Sequence, residues 1–366
     1  APNYLSCLRR ALREIGCPYV PVIPLTTVNK FDAHHPGFEM NASLYREAVY
    51  AFVMGDLLQR LLLRTRPYER VKGSANELCL EMMRRGYDIL YSGTANNKLY
   101  RKWMEESIHK FDTLPFAIDI ETGKEMIGNE KPRVGIVGEI GVQLRPSLNG
   151  YVMEQLELQG AEAVCLGMID FIGYAALDDI SLHRLLRRDL PSFLISKFAI
   201  TYINHLIHPI QKGLKESKRF FNRPFSTATE IVNLVEKEGH CSPLMVWGEG
   251  WLLVGEMVEM ITLLDCPNIL LLQPWGCLPN HITGANIVPI DFDTSASEVN
   301  QMNRITLMLS VAKDALKQKR DAELIQRLNK IKQEEKDRLE VAKASIAGGI
   351  FNIAKLEPNA QLICAE

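Results

Sequence analysis

The stretch Arg133-Val134-Gly135-Ile136-Val137-Gly138-Glu139-Ile140-Gly141 decides the fold. Arg133 to Gly138 is a short apolar run that ends on a glycine and an acid, and it reads as a strand. Leu148 to Gln159 has helical periodicity, and Ala161 to Leu166 is a second strand. Strand, helix and strand in so few residues predict a right-handed βαβ unit with parallel strands. The same logic resumes downstream. Pro243 to Trp247 reads as a strand, Trp251 to Leu264 as a helix, and Asn268 to Leu272 and Asn286 to Asp291 as further strands. Ser297 to Ala312 is a further helix, with Ser295 and Glu298 at capping-box spacing.

Upstream, Tyr4 to Ile15 reads as a helix closed by Gly16, and Tyr19 to Ile23 as a strand. Residues 40–110 are mainly helical, with Val49, Phe52, Val53, Leu57, Leu61 and Leu62 on one face. Turn residues and charge crowd 113–132, which predicts a domain boundary. Residues 180–238 read as helix, broken near Gly213 and Pro224. Lys313 to Lys343 carries ten basic and seven acidic side chains around a narrow seam of Leu324, Leu328 and Ile331, either a solvated helix or a partner-binding coiled segment. The resulting expectation is an α/β chain: two Rossmann-like or flavodoxin-like parallel-sheet domains, a helical layer and a long C-terminal helix. Its parts are a mainly helical α/β domain over 1–125, a βαβ domain with a helical insertion over 126–240, a second βαβ unit with a cysteine loop over 241–312, and a charged helical tail over 313–366.

Composition excludes several classes. The 366 residues suit two or three domains. A hydrophobic fraction of 47% with 23% charged residues excludes a wholly disordered or fibrous chain. Forty-two basic against 44 acidic residues leave a net charge of −2, which gives no support for a general nucleic-acid or anionic-membrane binder. The most apolar long stretch, Pro191 to Ile210, contains Lys197, Asn204, His205 and His208, so no membrane span is expected. Eight scattered cysteines without a signal peptide point to a reducing cytoplasm, where cysteines pack, react or bind metal. The opening Ala1-Pro2-Asn3-Tyr4 has no targeting character and reads as the start of a piece cut from something longer.

In parallel α/β sheets, sites form where loops leave the carboxyl ends of strands. Four loops qualify: Gly138-Glu139-Ile140-Gly141, Gly248-Glu249-Gly250-Trp251, Gln273-Pro274-Trp275-Gly276-Cys277-Leu278-Pro279-Asn280-His281, and Asp291-Phe292-Asp293-Thr294-Ser295. A cysteine in a Pro/Gly-rich turn suits a thiolate metal ligand, or a nucleophile with His281 as its base, or simple packing under the loop. Glu139 and Glu249, each after a glycine, suit an acid or base, or a helix cap. Asp291 and Asp293 suit a metal pair or a cap. His205 and His208 lack a third ligand for zinc. No Walker lysine follows Gly138 to Gly141, so ATP binding by this chain is unsupported.

Taken together, the Gly138-Glu139-Ile140, Gly248 to Trp251 and Gln273 to His281 loops and Ser297-Glu298-Val299-Asn300-Gln301 resemble the carboxyl-terminal region of large activase-related proteins of the 2-hydroxyacyl-CoA dehydratase system, with benzoyl-CoA reductase subunits more distant. The likeness spans about residues 1–312. It implies anaerobic, cytoplasmic, radical-type chemistry, in which an ATP-hydrolysing activase passes a low-potential electron to a 4Fe-4S-type iron–sulfur cluster. By this likeness Cys277, beside Gly276, matches a ligand cysteine, and Glu139 and His281 match motif positions without an assigned role. A CoA thioester or another small electron acceptor is the implied partner, and a homodimer is compatible. Two departures stand out. The family's cysteine-rich turn precedes the segment resembling residues 1–15, so the resemblance implies that co-ligands are missing from this chain, which is compatible with its lacking the cluster. Thr283-Gly284 also runs straight into Ala285-Asn286, where the family has a longer basic loop; two parallel strands joined by so short a linker predict a splice over further residues, visible as a long Cα separation at 284–285.

Overall fold

A computed structural model describes residues 2–22, 41–92, 96–120, 122–187, 190–239, 241–246, 248–274, 277, 280, 288–292 and 298–347. The chain is α/β. Its contacts divide it into two compact units: residues 1–117 with 166–259, and residues 118–165 with 260–366.

The second unit holds the sheet. Strands β1 (Arg133–Gly138), β2 (Glu162–Cys165), β3 (Asn268–Pro274) and β4 (Val288–Phe292) lie in the order β2-β1-β3-β4, all parallel. Every residue of β1 is buried, as a strand covered on both faces requires. Its register sets Val134 beside Asn268 and Gly138 beside Leu272. At the opposite side Arg133 pairs with Glu162, and their buried side chains approach to 3.7 Å. Helices α5 (Ile140–Leu144) and α6 (Val152–Leu158) carry the chain from β1 to β2. The expected helix over Leu148 to Gln159 is therefore shorter. Its first turn is taken by a reverse turn in which Asn149 donates through Nδ2 to the carbonyls of Val142 and Gln143 at 2.8 and 3.2 Å, closing α5.

Residues 275–287 join β3 to β4, which meets the dozen or so residues that a parallel return needs. The short-linker argument for a splice is thereby removed. The junction at 284–285 itself, and Ser295 of the capping box, lie outside the described residues.

The first unit is helical among its described residues. It comprises α1 (Pro2–Glu14), α2 (Ala42–Thr65), α3 (Ser74–Tyr91), α4 (Asn97–Asp112), α7 (Met168–Leu186), α8 (Leu190–Glu216), α9 (Ala228–Glu238) and most of α10 (Gly250–Thr262). Val53, Leu57 and Leu61 of α2 bury against Trp103, Ile108 and Phe111 of α4 and Ile203, Ile207 and Ile210 of α8 in one core. Gly213 does not break α8, because the buried face continues across it from Ile210 to Leu214.

Two expected strands are corrected. Pro243 to Val246 is a turn, closed by Met245 N donating to Ser242 O at 3.0 Å; Pro243 has no N–H for a ladder, and Leu244 and Met245 are exposed. Tyr19 to Val22 is likewise irregular, with Val20 N bonded to Cys17 O at 3.2 Å and Pro18 and Pro21 removing donors. Trp247 and Ile23 lie outside the described residues. A second Rossmann-like sheet domain is not seen among the described residues.

Finally, α11 (Glu298–Ala347) is one unbroken helix of 50 residues where two segments were expected. Ile305, Leu309 and Ala312 are buried in its first third. No helix among the described residues is long and apolar enough to cross a membrane.

Candidate functional site

In the sheet unit, the cysteine loop leaves the carboxyl end of β3. Cys277 N donates to Pro274 O at 3.2 Å, which pins the backbone against the strand end. Its side chain is half-buried, whereas Cys165 and Cys266 are buried. Asn280, wholly buried, donates through Nδ2 to Cys277 Sγ at 3.0 Å. An N–H aimed at sulfur suits an electron-rich sulfur, since a thiol is a weak acceptor. Gly276 and His281 lie outside the described residues, so the proposed cysteine–histidine pairing does too.

Glu139 sits at the carboxyl end of β1, the strand paired with β3. Its N–H donates to Leu272 O at 3.0 Å, and its Oε2 accepts from Val142 N at 2.9 Å, capping α5. Gly138 makes this turn possible. It has φ +145, and a Cβ there would stand 1.9 Å from Leu272 O. β1 and β3 thus bring Glu139 and Cys277 to the same end of one sheet. Glu249 belongs to the helical unit, half-buried just before α10, with its carbonyl accepting from Leu253 N at 3.2 Å. Asp291 lies within β4, and Asp293 lies outside the described residues. His205 and His208 are both exposed on α8, and His205 Nε2 lies 3.4 Å from Asn97 Nδ2.

A second cluster escaped the sequence reading. In the helical unit Asp56 of α2, Asp170 of α7, and Glu256 and Glu259 of α10 are all buried, and each feels the guanidinium of Arg60. Arg60 Nη2 donates to Asp170 Oδ2 at 2.7 Å, and the Arg60 guanidinium carbon lies 3.9 Å from the centroid of the Phe225 ring. Asp56 accepts from Met168 N and Ile169 N at 3.1 and 2.6 Å, across the start of α7. It fills the space a Cβ on Gly167 would need, with carboxylate atoms 2.1 Å from that position. No described residue completes a hydrogen bond to either Glu259 oxygen; the Ser226 hydroxyl is a polar neighbour short of bonding geometry.

Burial is the leading cause of every shift here, because it disfavours the charged form. Asp56 is pushed up to about 7 by burial and by Asp170, against the two backbone donors and Arg60. Glu259 also rises to about 7, and Glu256 rises well above the carboxylate range through burial, Asp170 and Glu259. Nearby Asp178 rises to about 7 through burial, although Trp251 Nε1 donates to it at 3.0 Å. Chemically, such a set holds and releases protons near neutrality. Each was legible only as a lone acid in an apolar helix, for example Glu256 and Glu259 in Leu252-Leu253-Val254-Gly255-Glu256-Met257-Val258-Glu259.

The sign of the pH dependence follows. Between about pH 4.5 and 7 the folded chain holds a proton on Glu259 that the unfolded chain has lost, so stability falls as pH rises through that window. Glu259→Gln removes the fall. The variant is expected to match the parent at pH 5 and to exceed it by up to about 3 kcal/mol at pH 8 in urea unfolding. An equal offset at both pH values would refute the assignment.

Among the described residues no group of three or more His, Cys, Asp or Glu is arranged to hold a metal. An iron–sulfur cluster takes thiolate ligands in sets. Cys277, partly buried and with an amide donor on its sulfur, fits one such ligand, and the described residues provide no complete set. Compared with protein-family models, curated proteins and solved structures, the chain matches none.

Proposed function

We propose that the chain is an iron–sulfur, dehydratase-like module of an ATP-driven, low-potential electron-transfer system of the 2-hydroxyacyl-CoA dehydratase type. The observation that carries this reading is Cys277, a partly buried residue held at the carboxyl end of a central parallel strand with an amide donor 3.0 Å from its sulfur. Cys277 would hold one iron, and the remaining ligands would come from outside the described residues. When bound, the cluster supplies one-electron transfer at low potential. The protein's own part is to fix the sulfur through the Pro274 and Asn280 contacts and to hold the capped Glu139 turn at the same end of the sheet. An ATP-hydrolysing activase is the electron donor, a CoA thioester or another small acceptor the substrate class, and an anaerobic cytoplasm the setting. The second Rossmann-like domain expected from the sequence belongs to this same proposal.

The full chain, purified anaerobically or reconstituted with iron and sulfide, is expected to contain iron and acid-labile sulfide. Cys277→Ser should lose nearly all of both, and Cys165→Ser should keep them. Iron and sulfide unchanged by Cys277→Ser, or absent from the parent, would end this reading.

A further inference from the structure

Beyond Lys319, the last helix runs out from the sheet unit with its side chains exposed as far as Val341 among the described residues. Lys313 Nζ donates to Gln159 O at 2.8 Å and Lys319 Nζ meets Asp265 Oδ2 at 2.7 Å. From Lys317 to Val341 every side chain is exposed, including Leu324 at 57%, Leu328 at 48% and Ile331 at 52%. A lone helix of this kind gains little from its own hydrogen bonds, and helices in proteins are held mainly by a packed face. We infer that residues 321–338 of α11 pair with the same residues of a second copy of this chain, antiparallel, in a two-stranded coiled coil.

Charge along the seam selects both occupant and direction. With Leu328 at position a and Ile331 at position d of a heptad, Asp321 and Glu335 fall at a, and Lys317, Leu324 and Arg338 at d. A parallel pair would set Asp321 against Asp321, Glu335 against Glu335, Arg338 against Arg338 and Lys317 against Lys317. Like charges facing each other across a seam are strongly disfavoured. The antiparallel pair centred between Asn329 and Lys330 reverses this. Leu328 meets the partner's Ile331, Asp321 meets the partner's Arg338, and Leu324 lies under the stem of the partner's Glu335. On the flank Arg327 reaches the partner's Glu334. Each contact occurs twice about a two-fold axis, as an isologous interface demands. The paired stretch also begins just beyond Lys319, the last helix residue tied to the sheet unit among the described contacts. This inference does not depend on the iron–sulfur reading.

The test is sedimentation of the full chain over a range of concentrations. The parent is expected to dimerise, and Leu328→Glu with Ile331→Glu to be monomeric, with helical signal lost only to the extent of the unpaired end of α11 and the rest of the fold intact. Asp321→Arg sets arginine against the partner's Arg338 and should weaken the dimer at least about tenfold. Adding Arg338→Asp should restore it. In a parallel pair both changes merely exchange one like-charged pair for another, so absence of rescue overturns the antiparallel arrangement. A parent that stays monomeric at every concentration, including one whose seam is covered by its own residues 348–366, overturns self-pairing. A dimer that survives Leu328→Glu with Ile331→Glu places the interface elsewhere and does the same.

Discussion

Gly138→Ala is expected to leave the sheet unit unfolded or insoluble. At φ +145 an L side chain is strained before any contact is counted. The added Cβ would also stand 1.9 Å from Leu272 O and 2.8 Å from Leu272 C, which are backbone atoms of the neighbouring strand. A flexible side chain could swing aside; a strand in the middle of a sheet cannot. Relief would require β1 and β3 to part at their carboxyl ends, losing the bond from Glu139 N to Leu272 O. Strain and lost pairing together put the cost above about 4 kcal/mol, in the range that marks exceptional substitutions. Soluble yield, near-ultraviolet circular dichroism and urea midpoint would report it. A Gly138→Ala chain that folds with a midpoint within experimental error of the parent would show that the turn is not built as described.

Arg60→Met is the second large effect, and its size should depend on pH. Arg60 is the one cation credited with lowering the pKa of Asp56, Asp170, Glu256 and Glu259 alike. Methionine keeps much of the packing on Phe225 and removes the charge. Taking one partner from a buried ion pair typically costs about 3–5 kcal/mol, because the remaining charge is stranded. Here the stranded groups can take up protons instead. At pH 5 Asp56 and Glu259 are already largely neutral, so the loss should be near the lower bound. At pH 8 the ionised form of Asp56 or Glu259 must be neutralised or exposed, so the loss should be greatest, about 10 °C in melting temperature for a unit of this size. Thermal melts of parent and Arg60→Met at both values decide the matter. A loss that is the same at both would mean that packing, not charge, is what Arg60 contributes.

The sheet was readable from sequence because its signals are local. Arg133–Gly138 and Asn268–Pro274 are apolar runs bounded by turn residues, and the structure makes both of them strands. The misread segments fail for an equally local reason: proline sits at Pro18, Pro21 and Pro243, where a ladder needs N–H groups. The buried acids are a different matter. Asp170 looks like any helix-start acid, and the residue that answers it, Arg60, is 110 positions away. Nothing in a window of sequence reports that separation. Glu139 stands between the cases: its place after β1 was legible, while its engagement as the cap of α5 depends on the chain turning helical at Ile140 instead of running on as a loop. Asn280 was visible as part of a motif, but its bond to the Cys277 sulfur belongs to loop geometry that spacing cannot reveal.

The order of pairing has a consequence for synthesis. β1 leaves the ribosome early, yet the neighbour that covers one of its edges, β3, follows only after residues 166–267. Until then a buried-type strand presents unsatisfied backbone groups to solvent, an invitation to pair with the wrong chain. Early condensation of the helical excursion shortens the loop that must close, and so reduces its entropic penalty. Nascent chains halted before residue 268 should therefore depend on chaperones far more than the finished protein does.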